Sequence, residues 1–262
     1  MSGLRAEAVS VRLGGRVVLD QASVVVRPGE VVALIGPNGA GKSTLLSALA
    51  GDVTPSHGRV LLDGAEIASF RPHALARRRA VLAQTNELAF PFTVGETARL
   101  GLPAGMDRRE ADAIVARNLA IVGLANAVDR PCSELSGGER QRAHLARVMA
   151  QLDAEPDGAP RYLMLDEPTA NLDLEHQLAT LAVARRHAER GGGVLAVLHD
   201  VNLAAMAADV IVALKAGAIV AAGPPNEVLT DELVRTLYRV DATVRGVPEG
   251  PFLLPQSARS ET

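Results

Sequence analysis

Near the N-terminus apolar residues recur with a period of two. Val9, Val11 and Leu13 alternate with polar positions, Gly14-Gly15 interrupts, and Val17-Val18-Leu19 resumes, the pattern of a hairpin. Ser23 to Arg27 continues the sheet, and Arg27-Pro28-Gly29-Glu30 turns into Val31-Val32-Ala33-Leu34-Ile35, an unbroken apolar run that predicts a buried parallel strand. Thr44 to Ala50 predicts a helix stopped by Gly51, and Arg59 to Gly64 a strand ending in a turn. His73 to Arg79 reads as a short polar helix and Ala80 to Ala83 as a strand that ends at Gln84. From Asn86 to Gly123 the period becomes helical, with Ala111, Ile114, Val115, Asn118, Leu119 and Val122 on one face and Asp107 as N-cap. Strand character returns at Tyr162 to Asp166, after a loop from Asp153 to Pro160, and at Val194 to Leu198, which ends at His199. Leu174 to Arg190 is a helix between them, stopped by Gly191-Gly192-Gly193. A glycine-turned hairpin around Lys215 to Ala218 and one amphipathic helix from Asn226 to Tyr238 complete the pattern, and 245–262 show little periodicity. The expected fold class is α/β, with a helical segment over 87–150 inserted into a core formed by 1–86 and 151–240, and a tail over 241–262.

Composition narrows this picture. Hydrophobic content is 48% but aromatics are only 2%, with no Trp, so the core is built from Ala, Val and Leu. The net charge of −3 offers no basic face, so no nucleic-acid partner is expected. Arg77-Arg78-Arg79, the densest basic run, reads as a solvated patch. The single cysteine, Cys132, excludes an internal disulfide and fits a reducing cytosol as a small apolar spacer. No apolar run reaches the ~18 residues of a membrane span, and the first residues lack the plan of a signal peptide. A soluble cytosolic protein is expected, unless another chain carries it to a membrane.

The chemistry concentrates in short stretches. Gly36-Pro37-Asn38-Gly39-Ala40-Gly41-Lys42-Ser43-Thr44 is a phosphate-binding loop between strand and helix. Its glycines let backbone N–H groups wrap a polyphosphate, and the following helix offers its positive end to the same anion. Lys42 adds a mobile cation, and the Ser43 hydroxyl suits Mg²⁺. Ser136-Gly137-Gly138-Glu139 carries the S-x-x-E spacing of a capping box, with two glycines baring the helix amides, and by itself reads either as a second anion site without a lysine or as an ordinary capped helix start. Asp166-Glu167 sets two adjacent carboxylates at a strand end, a pair that by itself reads as a turn.

In combination, the loop 36–44, Gln84, the stretch 135–142, Leu163 to Pro168, Asn171-Leu172-Asp173 and His199 resemble, in kind and order, the ATP-binding subunits of ABC transporters. The resemblance spans about 4–240 and implies a P-loop core with mixed sheet, N-terminal antiparallel strands and an inserted helical subdomain. It implies a homodimer that sandwiches two ATP molecules, each between one copy's phosphate loop and the other's Ser136 and Gly138. Ser43 and Asp166 would hold Mg²⁺, with Gln84 completing its shell or positioning water. Glu167 would polarise the attacking water, His199 would bond the γ-phosphate, and Asp173 would cross the dimer interface. Leu13 stands where the family usually stacks an aromatic residue on adenine.

The stretch Gln84 to Val94, with Phe90-Pro91-Phe92, is most similar to importers of iron-siderophores, cobalamin and hemin, and within them to hemin-import subunits. That similarity implies two copies of a membrane permease, a periplasmic binding protein met only through the permease, and a place on the cytoplasmic face of the inner membrane. Phe90 and Phe92 read either as residues of the permease groove or as core of the helical segment. The alternative is a soluble ABC ATPase that scaffolds assembly, for example of iron–sulfur clusters.

Overall fold

The computed structural model of the chain describes residues 3–84, 92–154, 158–170 and 172–244. The N-terminal hairpin forms as expected. Strands β1 (Leu4–Leu13) and β2 (Arg16–Val26) are joined through Gly14 and Gly15, both at positive φ. With β4 (His57–Leu62) and β5 (Ala65–Glu66) they make a separate antiparallel sheet, ordered β2-β1-β4-β5.

The second sheet has the order β10-β9-β3-β8-β7-β6. Its strands β3 (Val31–Ile35), β6 (Arg79–Leu82), β7 (Tyr162–Asp166), β8 (Gly193–Val197) and β9 (Val210–Lys215) run parallel, and β10 (Ala218–Gly223) returns antiparallel from β9. A strand buried on both faces sends alternate side chains to opposite sides. Val31, Ala33 and Ile35 enter one core with the helices, and Val32 and Leu34 enter another, shared with the antiparallel sheet and α1 (Lys42–Ala50). The same division holds along β7 and β8.

After the short α2 (Pro72–Ala76), the chain adds three helices, α3 (Val94–Arg99), α4 (Arg108–Ile121) and α5 (Gly137–Asp153). Asp107 caps α4 through the Arg109 and Glu110 amides, and the apolar face expected for α4 is buried. These helices share one continuous core with a face of the parallel sheet. The boundary expected at 150 falls inside α5, which no breaker interrupts before Asp153. Then come α6 (Leu174–Glu189), α7 (Val201–Ala207), α8 (Pro225–Val228) and α9 (Asp231–Tyr238).

Two expectations need correction. The last amphipathic segment is two helices, because Thr230 leaves helical geometry to accept the Leu233 amide and cap α9. The arginine run is not a solvated patch. Arg78 turns inward to Asp63 and the Pro160 carbonyl, and Arg79 to the Ala50 carbonyl and Asp52. The first residues of the expected tail are fastened to α9, Asp241 pairing with Arg235 and the Val244 amide donating to Asp231. Phe90 and Asn171 lie outside the described residues, and Phe92 is half-buried. Cys132 is buried, with Sγ 3.1 Å from Thr97 Oγ1.

Asp63 bolts the two sheets together. It accepts from the Gly3 amide, from Arg78 and from the Tyr162 hydroxyl. Asp63→Ala leaves a half-buried cation and a buried phenol without that acceptor, and is expected to lower stability by about 2–4 kcal/mol in urea titration. Burial, reinforced by Asp63, raises the Tyr162 phenol above its ordinary range. The folded chain therefore keeps a proton that the unfolded chain releases. Stability should be whole below the ordinary tyrosine range near 10 and fall as pH rises beyond it.

Candidate functional site

Four parallel strands end on one edge of the sheet and hand over the site residues there. The Gly36–Thr44 loop comes after β3, Gln84 lies just beyond β6, Asp166 ends β7 with Glu167 next to it, and His199 comes after β8. The loop is seated by close backbone approach. A Cβ on Gly36 would lie 2.1 Å from the Leu214 carbonyl oxygen, and one on Gly41 within 3 Å of Val18 O and Leu19 Cδ2. The Gly217 amide donates to Ala40 O at 3.0 Å, and the Asp20 amide to Gly217 O at 2.9 Å, tying the loop to both hairpins.

Lys42 is buried and donates its ammonium to the Gly36 and Pro37 carbonyls at 2.8 and 3.0 Å. Burial pulls its pKa below the ordinary range, while Glu167 and Asp166 pull it back up. Ser43 Oγ donates to Asp166 Oδ1 at 2.9 Å. Burial raises the Asp166 pKa against that hydrogen bond. A hydroxyl and a carboxylate already in contact form a hard-oxygen pair, the donor type that Mg²⁺ takes.

Both oxygens of the Glu167 carboxylate are engaged. Gln84 Nε2 donates to Oε2 at 2.8 Å, and His199 Nε2 lies 2.5 Å from Oε1. The Glu167 backbone sits at φ 51, a left-handed conformation that costs a non-glycine residue of order 1–3 kcal/mol. Gln141 is a residue that sequence reasoning does not single out. It donates Nε2 to the Glu167 carbonyl at 3.1 Å and so fastens α5 to this strand end. It falls within the stretch 135–142, two residues past the capping box, but nothing local there points to this contact.

The capping box is present: Ser136 Oγ accepts the Glu139 amide at 3.2 Å, and Glu139 Oε2 accepts the Ser136 amide at 2.9 Å. The Ser136 amide and hydroxyl, together with Arg130, hold the Glu139 carboxyl at about 2. Ser136 and Gly137 are exposed, and among the described residues no hydrogen bond joins Ser136, Gly137 or Gly138 to the loop 36–44. Asp173 also stands apart. It caps α6, accepting from the His176 amide at 3.0 Å and lying 2.6 Å from its Nδ1, and its side chain remains 67% exposed. Leu13, at 49% exposure, lies at the tip of the first hairpin.

A phosphate-loop motif at the end of a parallel strand, two adjacent carboxylates at the end of the next strand but one, and a second capped, glycine-started helix define a P-loop fold of the cassette kind. A family model described as ABC transporter matches residues 19–170, more than half of the chain. The chain belongs to the ABC transporter family and is one of its ATPases. It is 48% identical over 259 residues to the hemin import ATP-binding protein HmuV of Rhizobium meliloti (strain 1021), covering 97% of this chain and 99% of that protein. To the HmuV of Rhodopseudomonas palustris (strain ATCC BAA-98 / CGA009) it is 48% identical over 258 residues, covering 98% and 96%. Among solved structures, an ATP-binding subunit of an ABC transporter superposes with TM-score 0.76 at 25% identity, covering 92% of this chain and 96% of that one. A bacterial Atm1-family ABC exporter with ATP bound gives TM-score 0.78 at 25% identity, covering 94% and 43%. Among the described residues no helix is long and apolar enough to cross a membrane.

Asp166→Asn removes a buried charge while keeping an acceptor for Ser43. It is expected to raise the stability of the nucleotide-free protein by about 1 kcal/mol, or about 2–4 °C in melting temperature, and to abolish metal-dependent turnover. Calorimetry and an ATPase assay on the same sample check both effects.

Proposed function

We propose that this ATPase powers import of hemin, or of a related iron chelate, through a separate membrane permease. The observation that carries the catalytic part is the convergence of Lys42, Ser43, Asp166, Glu167, Gln84 and His199 at one sheet edge. The HmuV relatives, matched over almost their whole length, support the transported molecule.

In this reading the amides of Gly39 and Gly41 and the Lys42 ammonium bind the β- and γ-phosphates of ATP, Lys42 exchanging loop carbonyls for phosphate oxygens. Ser43 and Asp166 hold Mg²⁺, with Gln84 beside them. The ion, when bound, supplies positive charge to the phosphate oxygens. Glu167 gives up one of its two partners to a water molecule and accepts its proton as the water oxygen attacks the γ-phosphorus. The bond to the bridging oxygen breaks, leaving ADP and phosphate. His199 orients the carboxylate and meets the γ-phosphate.

Among the described residues no hydrogen bond joins the Ser136–Gly138 helix start to the loop 36–44 of its own chain. This helix start supports a homodimer in which each copy's Ser136, Gly137 and Gly138 close over the partner's ATP, with Asp173 facing the joint. Two copies of the permease would hold the dimer on the cytoplasmic face of the inner membrane, and a periplasmic protein would deliver the cargo to the permease. The relatives do not favour a soluble assembly scaffold.

Glu167→Gln should lower turnover by about 10²–10⁴, equivalent to ~3–5 kcal/mol, and accumulate an ATP-dependent dimer in size-exclusion chromatography. Near-normal hydrolysis would remove Glu167 as the base. Gentle affinity capture from the native membranes should bring down a polytopic permease in equal amount, and vesicles holding that complex should take up hemin only with ATP inside the ATPase-facing compartment. Capture of soluble iron–sulfur assembly proteins instead would overturn the importer reading.

A further inference from the structure

Helix α9 ends against the phosphate loop. Its Leu233 and Leu237 are buried in the core that also holds Val31, Ala33 and Ile35 of β3, and Tyr238 packs against the same core. Tyr238 and Arg239 share the walls of a cavity of about 460 Å³ with Pro37 to Ala40 of the loop. The helix is held at both ends. Thr230 caps its start, Arg239 closes it in a left-handed turn, and Asp241 and Val244 tie the following chain back to Arg235 and Asp231. The Tyr238 hydroxyl is buried, and among the described residues it makes no hydrogen bond. Burial raises its pKa, and the Gly36 backbone N–H beside it opposes that rise without meeting the geometry of a hydrogen bond. A buried hydroxyl left in this state is costly, and native structures rarely leave one without a reason. Gly36 is also where Lys42 rests: its carbonyl accepts the ammonium at 2.8 Å, and the Pro37 carbonyl does so at 3.0 Å. The amide and the carbonyl of one residue thus face two different side chains, one paired and one not.

We propose that Tyr238 is a positioning residue for the phosphate loop, its hydroxyl taking the Gly36 backbone when the Lys42 ammonium moves from the loop carbonyls to a phosphate. This rests on placing the triphosphate at Gly36–Thr44. In the free chain Lys42 draws the Gly36 carbonyl to itself. Once it turns to the phosphate, Gly36 loses that donor and settles on the unspent partner beside it. The hydroxyl accepts the Gly36 amide and still has its own proton to offer the vacated carbonyl. A polar group unsatisfied in the free protein is then satisfied only with ligand bound. The contact therefore strengthens binding of the phosphates and adds little to the stability of the resting chain. The ordinary alternative is a ring that packs against the core while its hydroxyl pairs in neither state.

Titration of the full chain with ATP and with inorganic tripolyphosphate separates the two. Tyr238→Phe keeps the ring and removes only the hydroxyl. It is expected to weaken both ligands about fivefold, raise the KM for ATP in parallel, and leave kcat within about twofold. The melting temperature of the nucleotide-free protein should stay the same or rise, since no hydrogen bond is lost there. In a Lys42→Ala background the Gly36 carbonyl has no ammonium, so the hydroxyl pairs in the free chain as well. Tyr238→Phe should then lower the melting temperature by about 2–4 °C. Native ATP affinity in Tyr238→Phe would overturn the proposal, as would a loss for ATP alone, or a melting-temperature change that is the same in both backgrounds. If Lys42→Ala loses both ligands while Tyr238→Phe binds them as the native protein does, the positioning proposal fails alone. If Lys42→Ala keeps both ligands, the loop placement fails and takes the positioning proposal with it.

Discussion

Parallel pairing of β3, β8, β7 and β6 is the constraint on which the rest of the site depends. Strands that run the same way finish on the same edge, and each here has residues with chemistry at or just beyond its end. The register sets Leu34, Val197 and Asp166 at one level, since Leu34 and Asp166 both pair with Val197. The residues just beyond these strand ends are thereby brought together without any long side chain having to search. Glu167 shows how tightly this is held: its backbone is forced left-handed, and its carboxylate, carbonyl and strand are fixed from β6, β8 and α5 at once. A strained residue this heavily braced is one whose position matters more than its comfort.

The same edge stores electrostatic cost. Lys42 and Asp166 are both buried, and burial displaces each pKa toward its neutral form. Their pairings, Lys42 with loop carbonyls and Ser43 with Asp166, offset part of this cost in the free protein. For Asp166 the sign is definite. A carboxyl raised in the folded state makes folding less favourable as pH climbs through the ordinary aspartate value toward the folded one. Groups held in this way gain most from partners of opposite charge, so the site is built to bind rather than to stabilise the resting chain.

Much of this is legible in sequence because it is local. The Gly14-Gly15 turn, the β3 run, the phosphate loop and both N-caps, at Asp107 and Ser136, are written in neighbouring residues, and each forms where expected. The features that sequence does not reveal are set by distant partners. Arg78 and Arg79 look like a solvated run until Asp63, Asp52 and two carbonyls arrive from elsewhere in the fold. The separation of β1, β2, β4 and β5 into their own sheet depends on strand order, which periodicity does not encode. Helix α7 is a different case. Asp200 caps it through the Asn202 and Leu203 amides, a local signal that seven residues of length make easy to pass over. Gln141 sits in the 135–142 stretch, but its contact is not legible there, because the partner is a backbone carbonyl twenty-six residues away.

That contact gives α5 a double duty. Ser136 at its start offers exposed amides, and Gln141 holds the Glu167 carbonyl five residues later, roughly 7.5 Å along the axis. Farther on, Arg147 donates to the Val81 carbonyl in β6, the strand that leads to Gln84. The helix is continuous over this distance, so its N-terminus and the Glu167 strand end are joined by one regular element. If a second copy's triphosphate docks on Ser136 to Gly138, the load is passed to the backbone of Glu167 through Gln141 and to the approach of Gln84 through Arg147. Closure over one ATP would then adjust the carboxylate that serves the other, and this coupling would run through a single helix with two hydrogen bonds at its far side.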